Sequence, residues 1–549
     1  MLHGYHDDDS EKKEISTRAP AILLLVQLLL PRSTIALQST SIFRSDTRLV
    51  QINVVVRDKH GPVTNLSRNN FALMDNGRLQ DIRLFSMNSA ALANERADAL
   101  PTHTFSNSEK NGAAVASVTV VLLDALNTLV AGHEAYEETP TWNEDLALAD
   151  AKQHLAKFVA QMQPSDLLAI YILGHNLIVL SDFTNDRQKL LALLNNYKPA
   201  SLTRSDDAEP LAVHTPVPGD FNASVDRQRR NFAAVVNGNR AEETMRALSA
   251  IAGHLSGIPG RKNLVWLTAN LPFSETAAAT ALSRAGVAVY PVDARGLLTA
   301  MPARTDVDLF SQMMRRSSVA TGQRPEPTGI SQMLTLAQET GGRAFVNTND
   351  LTGAIREIVA ETAVTYTLGF YPAAGTLDGK FHLLKVKVRG HSGLEVRYPS
   401  GYFAVKDDPT RFRQNGDLLA SALSSPLDLS AVHIQAHVES SGQPDAGSFE
   451  IAGSIRLSDI GLTQDGERWR GTLMLYVVQQ DVAGNVLAQS ENGYQLQLTK
   501  EMYLRYSQSG LPFRCSITSK PGFATLRILV RGPLDGVLGS LIIPVSAIR

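Results

Sequence analysis

The chain has very little cysteine and no excess of charge of either sign. Cys515 is the one cysteine among 549 residues, which excludes an intrachain disulfide and a zinc site of the multi-cysteine type. No motif surrounds Cys515, so we interpret it as a small packed residue and not as a nucleophile. The formal net charge of -2 argues against a nucleic-acid partner, which would need a basic face.

Long hydrophobic runs are also lacking. Residues 21–30 (AILLLVQLLL) are apolar, but this run is well short of the roughly 20 residues that cross a bilayer. Its length is typical of a secretory signal, so residues 1–38 are predicted to be a signal peptide cut near Ala36, although residues 7–9 are acidic where a basic segment is expected. A buried helix or a disordered start is the alternative. The prediction is a secreted, periplasmic or cell-envelope protein with no integral membrane segment after cleavage.

The rest of the composition is that of a globular protein, with 44% hydrophobic and 19% charged residues. The length predicts about three or four domains. Residues 45–88 and 365–405 alternate apolar and polar side chains, and we predict that both segments build one β-sandwich. Residues 86–114 are interpreted as a linker. Seven further strand patterns in residues 414–549 predict an immunoglobulin-like sandwich.

Residues 115–364 have a different pattern, in which short apolar runs typical of buried strands alternate with segments of helical spacing. This pattern predicts an α/β domain with a doubly wound, mostly parallel, Rossmann-like sheet. Within it, the polar stretch 200–238 is expected to be a surface loop, and residues 343–346 a last short strand.

One stretch of this domain is the most informative in the chain. The run SVTVVLLDALNT, residues 117–128, is apolar and β-branched until it stops at Asp124, and Asn127 and Thr128 follow. Such a run is typical of a strand buried on both faces of a parallel sheet. Polar residues just past its carboxyl end lie where open α/β sheets bind their ligands.

Several phrases follow one another along the chain: VVVRDKHG (54–61), FALMDNGRLQDIRLF (71–85), VVLLDALNT (120–128), GRKNLVWL (260–267), GVAVYPVDARG (286–296), LAQETGGRAF (336–345) and YTLGFYP (366–372). In this order they resemble the von Willebrand factor A (VWFA) superfamily, in the bacterial subgroup called VWFA-related, acidobacterial type. The resemblance covers about residues 45–405 and leaves the C-terminal sandwich outside.

The resemblance implies a metal-ion-dependent adhesion site, in which Mg²⁺ or another divalent cation bridges to a partner's carboxylate. The family pattern is Asp-x-Ser-x-Ser after the first strand, a loop threonine and a later aspartate. Asp124 and Thr128 match its first and last positions, but Leu126 replaces the middle serine. Residues 268–270 (Thr-Ala-Asn) lack the later aspartate, and Thr203 is a candidate for the loop threonine.

The candidate metal ligands are therefore few and mostly uncharged. Asn127 and Asn270 would offer amide oxygens in place of the missing groups. The alternative is that Asp124 caps the following helix or loop through its backbone amides. The complete candidate set is Asp124, Asn127, Thr128 and Asn270.

Other candidates are weaker. Asp293 and Arg295 follow a later strand and are interpreted as a local pair that stabilises a turn, with a ligand surface as the alternative. His175, His254 and His382 have no partner at ligand spacing and are interpreted as structural. No Gly-x-Ser-x-Gly, His-Glu-x-x-His or carboxylate pair indicates catalysis.

Three functions remain. The first is a non-enzymatic module that binds an unidentified protein through loops 124–145, 200–240, 269–274 and 293–328. The second is a structural protein with a vestigial metal site, and the third is a hydrolase with an unrecognised nucleophile. Thermal melting with and without divalent cations separates the first two.

Overall fold

The computed structural model describes residues 49–89, 101–108, 117–127, 144–198, 220–269, 271, 275–295, 329–373, 378–404, 416–440, 447–533 and 538–548. All of them belong to one compact unit, Asp46–Arg549. The strands up to the middle of the chain are β1 (Val50–Asp58), β2 (Gly61–Pro62), β3 (Phe71–Asp75), β4 (Arg78–Gln80), β5 (Leu84–Ser89), β6 (Thr104–Ser106), β7 (Ser117–Asp124), β8 (Leu168–Leu173), β9 (Leu177–Thr184), β10 (Arg261–Thr268) and β11 (Val287–Asp293).

The later strands are β12 (Val364–Phe370), β13 (Phe381–Val388), β14 (Glu395–Arg397), β15 (Gly401–Phe403), β16 (Ile434–Ser440), β17 (Ser448–Ile455), β18 (Thr463–Asp465), β19 (Arg468–Gln480), β20 (Val486–Thr499), β21 (Leu511–Thr518), β22 (Thr525–Arg531) and β23 (Leu538–Pro544). The helices are α1 (Glu144–Val159), α2 (Arg187–Asn196), α3 (Asp220–Leu255), α4 (Glu275–Arg284), α5 (Ile330–Thr340), α6 (Leu351–Glu361), α7 (Gly416–Ser424), α8 (Leu457–Ile460) and α9 (Lys500–Ser509).

The central sheet has the strand order β11-β10-β7-β8-β9. Neighbours from β11 to β8 are parallel, and β9 returns antiparallel to β8 at one edge. All eight residues of β10 and seven of the eight of β7 are buried. Near-continuous apolar strands of this kind need cover on both faces.

Helices supply that cover on both faces of the central sheet. Leu122 of β7 packs in one core with residues of α3, α4 and α5. Val121, its neighbour in the chain, packs in a second core with residues of α1, α2 and α6. The two cores form because successive side chains of a strand point to opposite faces. The chain is thus a mixed α/β protein, in which the other sheets are antiparallel.

Two antiparallel sheets combine strands from before and after the α/β region. One has the order β14-β1-β12-β5, with β2 also paired to β1, and the other has the order β15-β13-β3-β4. Their inner faces share a core that includes Val54, Leu73 and Leu368. The strands of the two distant segments therefore pair directly, as in the register of Asn53 with Thr367.

The Asn76-Gly77 turn forms a hairpin within one of these two sheets. Asn76 and Gly77 have φ of 46° and 80°, which is the left-handed region that such a turn requires. The turn joins β3 to β4. The next apolar run becomes β5, which pairs with β12 in the other sheet.

The last two sheets surround a core formed by β16–β23 and one strand from far upstream. Their orders are β21-β17-β16-β6 and β18-β19-β22-β23, with β20 paired to β19. The interpretation of residues 86–114 as linker is wrong at β6, where Ser106 pairs with Gln435. Phe105 packs against the core of these sheets, so apolar burial holds this short segment in place.

Two further expectations are corrected. Helix α3 begins at Asp220, whereas residues 200–238 were expected to be loop; its first 18 residues contain no proline or glycine, and nothing in them breaks a helix. Residues 343–346 do not form a strand, since Phe345 makes an isolated parallel bridge to Val292. Asn347, with φ of 55°, ends the extended backbone there.

Candidate functional site

Three polar residues end neighbouring strands at the carboxyl edge of the central sheet. They are Asp124 of β7, Thr268 of β10 and Asp293 of β11. Thr268 lies opposite Asp293, and the preceding residue of β10 lies opposite Leu123. All three side chains have 0% exposure. The edge where ligands bind in such sheets therefore contains a buried polar layer.

Asp124 accepts hydrogen bonds from at least four donors. Its Oδ1 accepts from the backbone N–H of Asn127 at 2.8 Å. Its Oδ2 accepts from the Thr268 hydroxyl at 2.7 Å, from Trp266 Nε1 at 3.0 Å and from Asn127 Nδ2 at 3.0 Å. Because a carboxylate offers about four acceptor positions, two on each oxygen, the three donors on Oδ2 saturate that oxygen.

Strand alternation explains why these groups meet. Residues two apart on a strand share a face, so Trp266 and Thr268 lie on one face of β10, and Leu122 and Asp124 on one face of β7. Trp266 is paired with Leu122, which brings both donors beside the carboxylate. Sequence reasoning missed Trp266 and Thr268 as partners of Asp124; their spacing of two at the end of a buried strand was the available signal.

Asn127 ties the segment after β7 to helix α3. Besides its contact with Asp124, its Nδ2 donates to Thr244 Oγ1 at 2.9 Å. The Thr244 hydroxyl in turn donates to the Arg240 carbonyl at 2.7 Å. Asn127 Oδ1 is buried and accepts no hydrogen bond from the described groups. The backbone contact of Asn127 with Asp124 is the capping arrangement that the alternative interpretation predicted.

Burial makes the charge of Asp124 costly. Desolvation raises the pKa of the Asp124 carboxyl, and hydrogen bonds from Asn127, Thr268 and Trp266 offset only part of this rise. The groups that favour the charged form are neutral dipoles. A buried carboxylate held in this way depends on every donor being present.

These residues, as placed, do not fit a divalent cation on Asp124. Mg²⁺ needs oxygen ligands at about 2.0–2.1 Å, but the carboxylate faces N–H and O–H donors. Asn127 directs its amide nitrogen, and not its oxygen, toward Asp124. Within the described ranges, no group of three or more His, Cys, Asp or Glu side chains is arranged to hold a metal. Thr128, Asn270 and Thr203 lie outside the described residues, so the complete ligand set stays a prediction.

Asp293 and Arg295 form the local pair that the sequence indicates. The Asp293 Oδ1 accepts from the backbone N–H of Arg295 at 3.0 Å and from its Nε at 2.8 Å. The Asp293 Oδ2 lies 2.8 Å from Arg295 Nη2. A fork of this geometry stabilises the turn after β11 and places a guanidinium at the same edge as Asp124.

His254 has partners that sequence spacing does not reveal. Its Nδ1 lies 2.7 Å from the Asp428 carbonyl oxygen and its Nε2 lies 3.3 Å from Asp182 Oδ1. Burial opposes the charged ring, but Asp182 and the Asp428 backbone outweigh it and raise the pKa of His254. The residue joins α3 to β9 and to the segment that leads into β16, so its role here is structural.

The sequence also indicates structural roles for His382 and His175. His382 lies far from the carboxyl edge, and His175 lies at its surface. His382 Nδ1 is 3.0 Å from Asp75 Oδ1, and the Tyr402 hydroxyl donates to Asp75 Oδ2 at 3.0 Å, inside the sandwich core. His175 is exposed in the turn after β8 and lies 3.5 Å from Glu243 Oε2. The central-sheet edge thus gains the exposed polar residues His175 and Asn176 from the turn between β8 and β9.

No family model and no curated protein matches the chain. Among solved structures, an aerotolerance-related membrane protein from Bacteroides fragilis is 14% identical, with a TM-score of 0.24, covering 44% of this chain and 98% of its own. BatB from Bacteroides thetaiotaomicron is 13% identical, with a TM-score of 0.23, covering 45% and 98%. A von Willebrand factor type A protein from Catenulispora acidiphila is 9% identical, with a TM-score of 0.24, covering 65% and 80%. These superpositions are too loose to assign a fold family or a function.

Proposed function

We propose that the chain is a non-enzymatic, VWFA-type binding protein, whose doubly wound sheet presents its carboxyl edge to a protein partner. The strand order β11-β10-β7-β8-β9 carries this proposal. The order puts the first strand, β7, in the centre and gathers the ends of four parallel strands at one edge. Open α/β sheets bind their ligands at such a switch of strand order.

We further propose that binding at this edge does not use a cation. The donors around Asp124 support this view, because each would have to turn away before a metal reached the carboxylate. The adhesion site of the family would then be degenerate in this chain, and Asp124 would serve to order the edge. Mg²⁺ remains the competing proposal.

The proposed location is the secreted space or the cell envelope. The apolar run in residues 21–30 supports this location. None of the described helices combines the length and the apolar content that crossing a bilayer requires.

A structural or assembly protein with a vestigial site is the alternative. It would make its contacts through sheet edges or oligomerisation and leave the carboxyl edge of the central sheet without a partner. A hydrolase is a third, weaker proposal, since its nucleophile would have to lie outside the recognised motifs.

The test is affinity capture from an envelope fraction with matched edge variants. Asn176, exposed in the β8–β9 turn, lies at the carboxyl edge, and Ser165, exposed before β8, lies at the opposite edge. We expect Asn176→Arg to abolish capture of a partner that the wild type and Ser165→Arg both retain, whether the buffer contains EDTA or Mg²⁺. Equal capture by all three proteins rejects the edge, and capture that requires Mg²⁺ rejects the cation-free version.

A further inference from the structure

The outer face of the sheet β15-β13-β3-β4 combines apolar and cationic side chains. Along β13, Phe381, Leu383, Lys385 and Lys387 alternate with buried residues and point outward. Leu383 is 62% exposed, and Leu79 on β4 is 64% exposed. Residues of this size are seldom left in water without a function when they cluster.

Strand register makes the apolar part of this face continuous. Lys385 is paired with Met74, which is paired with Leu79, so the three side chains form one row. Phe381 is paired with Phe403, and their rings meet at 5.1 Å between centroids in an edge-to-face arrangement. The Phe381–Phe403 pair therefore lies at one end of the face. The row of Lys385, Met74 and Leu79 lies farther along the same strands.

Charge on these four strands has a single sign at the surface. Their exposed ionisable side chains are Arg78, Lys385 and Lys387. The one acidic residue in these strands, Asp75, is 5% exposed and is bound to His382 and Tyr402 inside the core. The apolar cluster thus has cations beside it, and the nearest exposed carboxylates, Asp81 and Asp378, are paired with Arg68, Arg83 and His382.

We propose that this apolar–basic face (Leu79, Phe381, Leu383, Lys385, Lys387) docks on an anionic lipid surface. Aromatic and aliphatic side chains would enter the interface, while lysine stems lie along them and their ammonium groups reach lipid phosphates. Each lysine near an anionic membrane strengthens binding through its attraction to the lipid phosphates. Charge complementarity selects this occupant: an anionic leaflet supplies phosphates beside hydrocarbon. The contact is peripheral and independent of the carboxyl edge of the central sheet.

The first experiment measures sedimentation of the full chain with two kinds of vesicle. One kind contains phosphatidylcholine alone, and the other contains equal parts of phosphatidylcholine and phosphatidylglycerol. We expect the chain to bind only the vesicles that contain phosphatidylglycerol. The double variant Lys385→Glu with Lys387→Glu should weaken that binding more than about tenfold. The matched control, Lys500→Glu with Lys520→Glu, changes the same charge at exposed residues elsewhere and should bind as the wild type does. Equal binding by the two double variants overturns the proposal.

The second experiment places a fluorophore on the face. Cys515 is partly buried and burial raises the pKa of its thiol to about 11, which slows its reaction with a dye, and Cys515→Ser removes this thiol altogether. Leu79→Cys and Val482→Cys, the latter at a 94% exposed control position, are then labelled with an environment-sensitive dye. We expect phosphatidylglycerol vesicles to shift the emission to the blue at position 79 only. The proposal is overturned if the emission does not shift at position 79 or shifts at both positions. It is also overturned if raising the protein concentration, or adding polyglutamate in place of vesicles, causes the shift.

Discussion

Two buried carboxylates at opposite edges of the central sheet are stabilised in different ways. Asp124, at the carboxyl edge, is fully buried and faces hydroxyl, indole and amide donors. Glu361, at the end of α6, is also buried, but it faces the guanidinium groups of Arg57 and Arg397. Neutral hydrogen-bond donors in a buried environment therefore stabilise Asp124, whereas partly exposed arginines stabilise Glu361.

The comparison explains how one edge of the central sheet is joined to the sandwich, while the other is the edge that we propose binds a partner. Arg57 lies on β1 and Arg397 on β14, so their ion pairs with α6 fasten the N-terminal sandwich to the α/β region. Arg261, the first residue of β10, adds hydrogen bonds to the Gly341 carbonyl and to Asn53 of β1. The described contacts of Asp124 reach β10 and the segment after β7, and they order the carboxyl edge.

The largest expected effect is at Asp124. Asp124→Ala removes a buried acceptor from the Trp266 N–H, the Thr268 hydroxyl and the Asn127 backbone N–H. Each such group costs about 1–3 kcal/mol, so we expect a total loss of about 3 kcal/mol in the free energy of unfolding, measured in urea. Asp124→Asn should recover less than half of this loss because its amide NH₂ faces donors. A loss of unfolding free energy below about 1 kcal/mol in both variants would mean that water replaces the missing acceptor and would contradict this account.

A smaller loss is expected at Glu361. Glu361→Ala removes the shared partner of two arginines whose side chains are 23% and 11% exposed. Breaking a buried pair costs about 3–5 kcal/mol, and partial exposure reduces the expected loss of unfolding free energy to about 2 kcal/mol. The control Glu395→Gln changes a 57% exposed partner of Arg397 and should cost less than about 1 kcal/mol. Equal costs for both variants would contradict the importance of burial.

The contribution of His254 and its partners to stability should change with pH. The raised pKa of His254 means that its ion pair contributes fully below its ordinary pKa of about 6.5 and is lost as pH rises through the raised value. Asp182, whose pKa is lowered despite burial, loses its contribution only as pH falls through that lowered value. Asp428, whose pKa burial raises to about 7, adds a loss of stability as pH rises from its ordinary pKa of about 3.8 to about 7.

His254→Gln should therefore cost about 1 kcal/mol of unfolding free energy at pH 6 and less at pH 8. Urea unfolding of both proteins at the two pH values measures the difference. Asp182 is more than half exposed, and this limits the size of the effect. A cost that does not change with pH would show that His254 acts only by packing and by neutral hydrogen bonds.

The smallest expected effect is the response to salt. Raising NaCl should reduce the cost of Glu361→Ala by about 0.5 kcal/mol, because salt screens its partly exposed partners. The cost of Asp124→Ala should not change, since dipoles in a dry site are not screened. Repeating the urea measurements of both variants at low and high NaCl checks this. Equal salt dependence would remove the distinction between the two edges.

The sequence predicts the strands better than it predicts the contacts between them. Continuous apolar runs such as residues 118–123 indicate buried strands, and each of the seven C-terminal strand patterns overlaps an observed strand. Short β6 escaped prediction because its three residues acquire strand form only by pairing with β16. Local sequence contains no information about that distant partner.

The candidate site shows the same limit. The end of a buried run correctly locates Asp124 at the edge of the sheet, and the following residues indicate a cap. The donors that decide its chemistry, Trp266 and Thr268, are more than 140 residues away in the chain. Only the register between β7 and β10 brings them to the carboxylate.

Thermal melting of the wild type with Mg²⁺, Mn²⁺ or EDTA tests the central claim most directly. If dipoles alone hold Asp124, the three melting temperatures agree, because a cation stabilises a protein only by binding its folded state. A rise with either metal that disappears in Asp124→Asn would contradict this account and restore the adhesion site as a cation site.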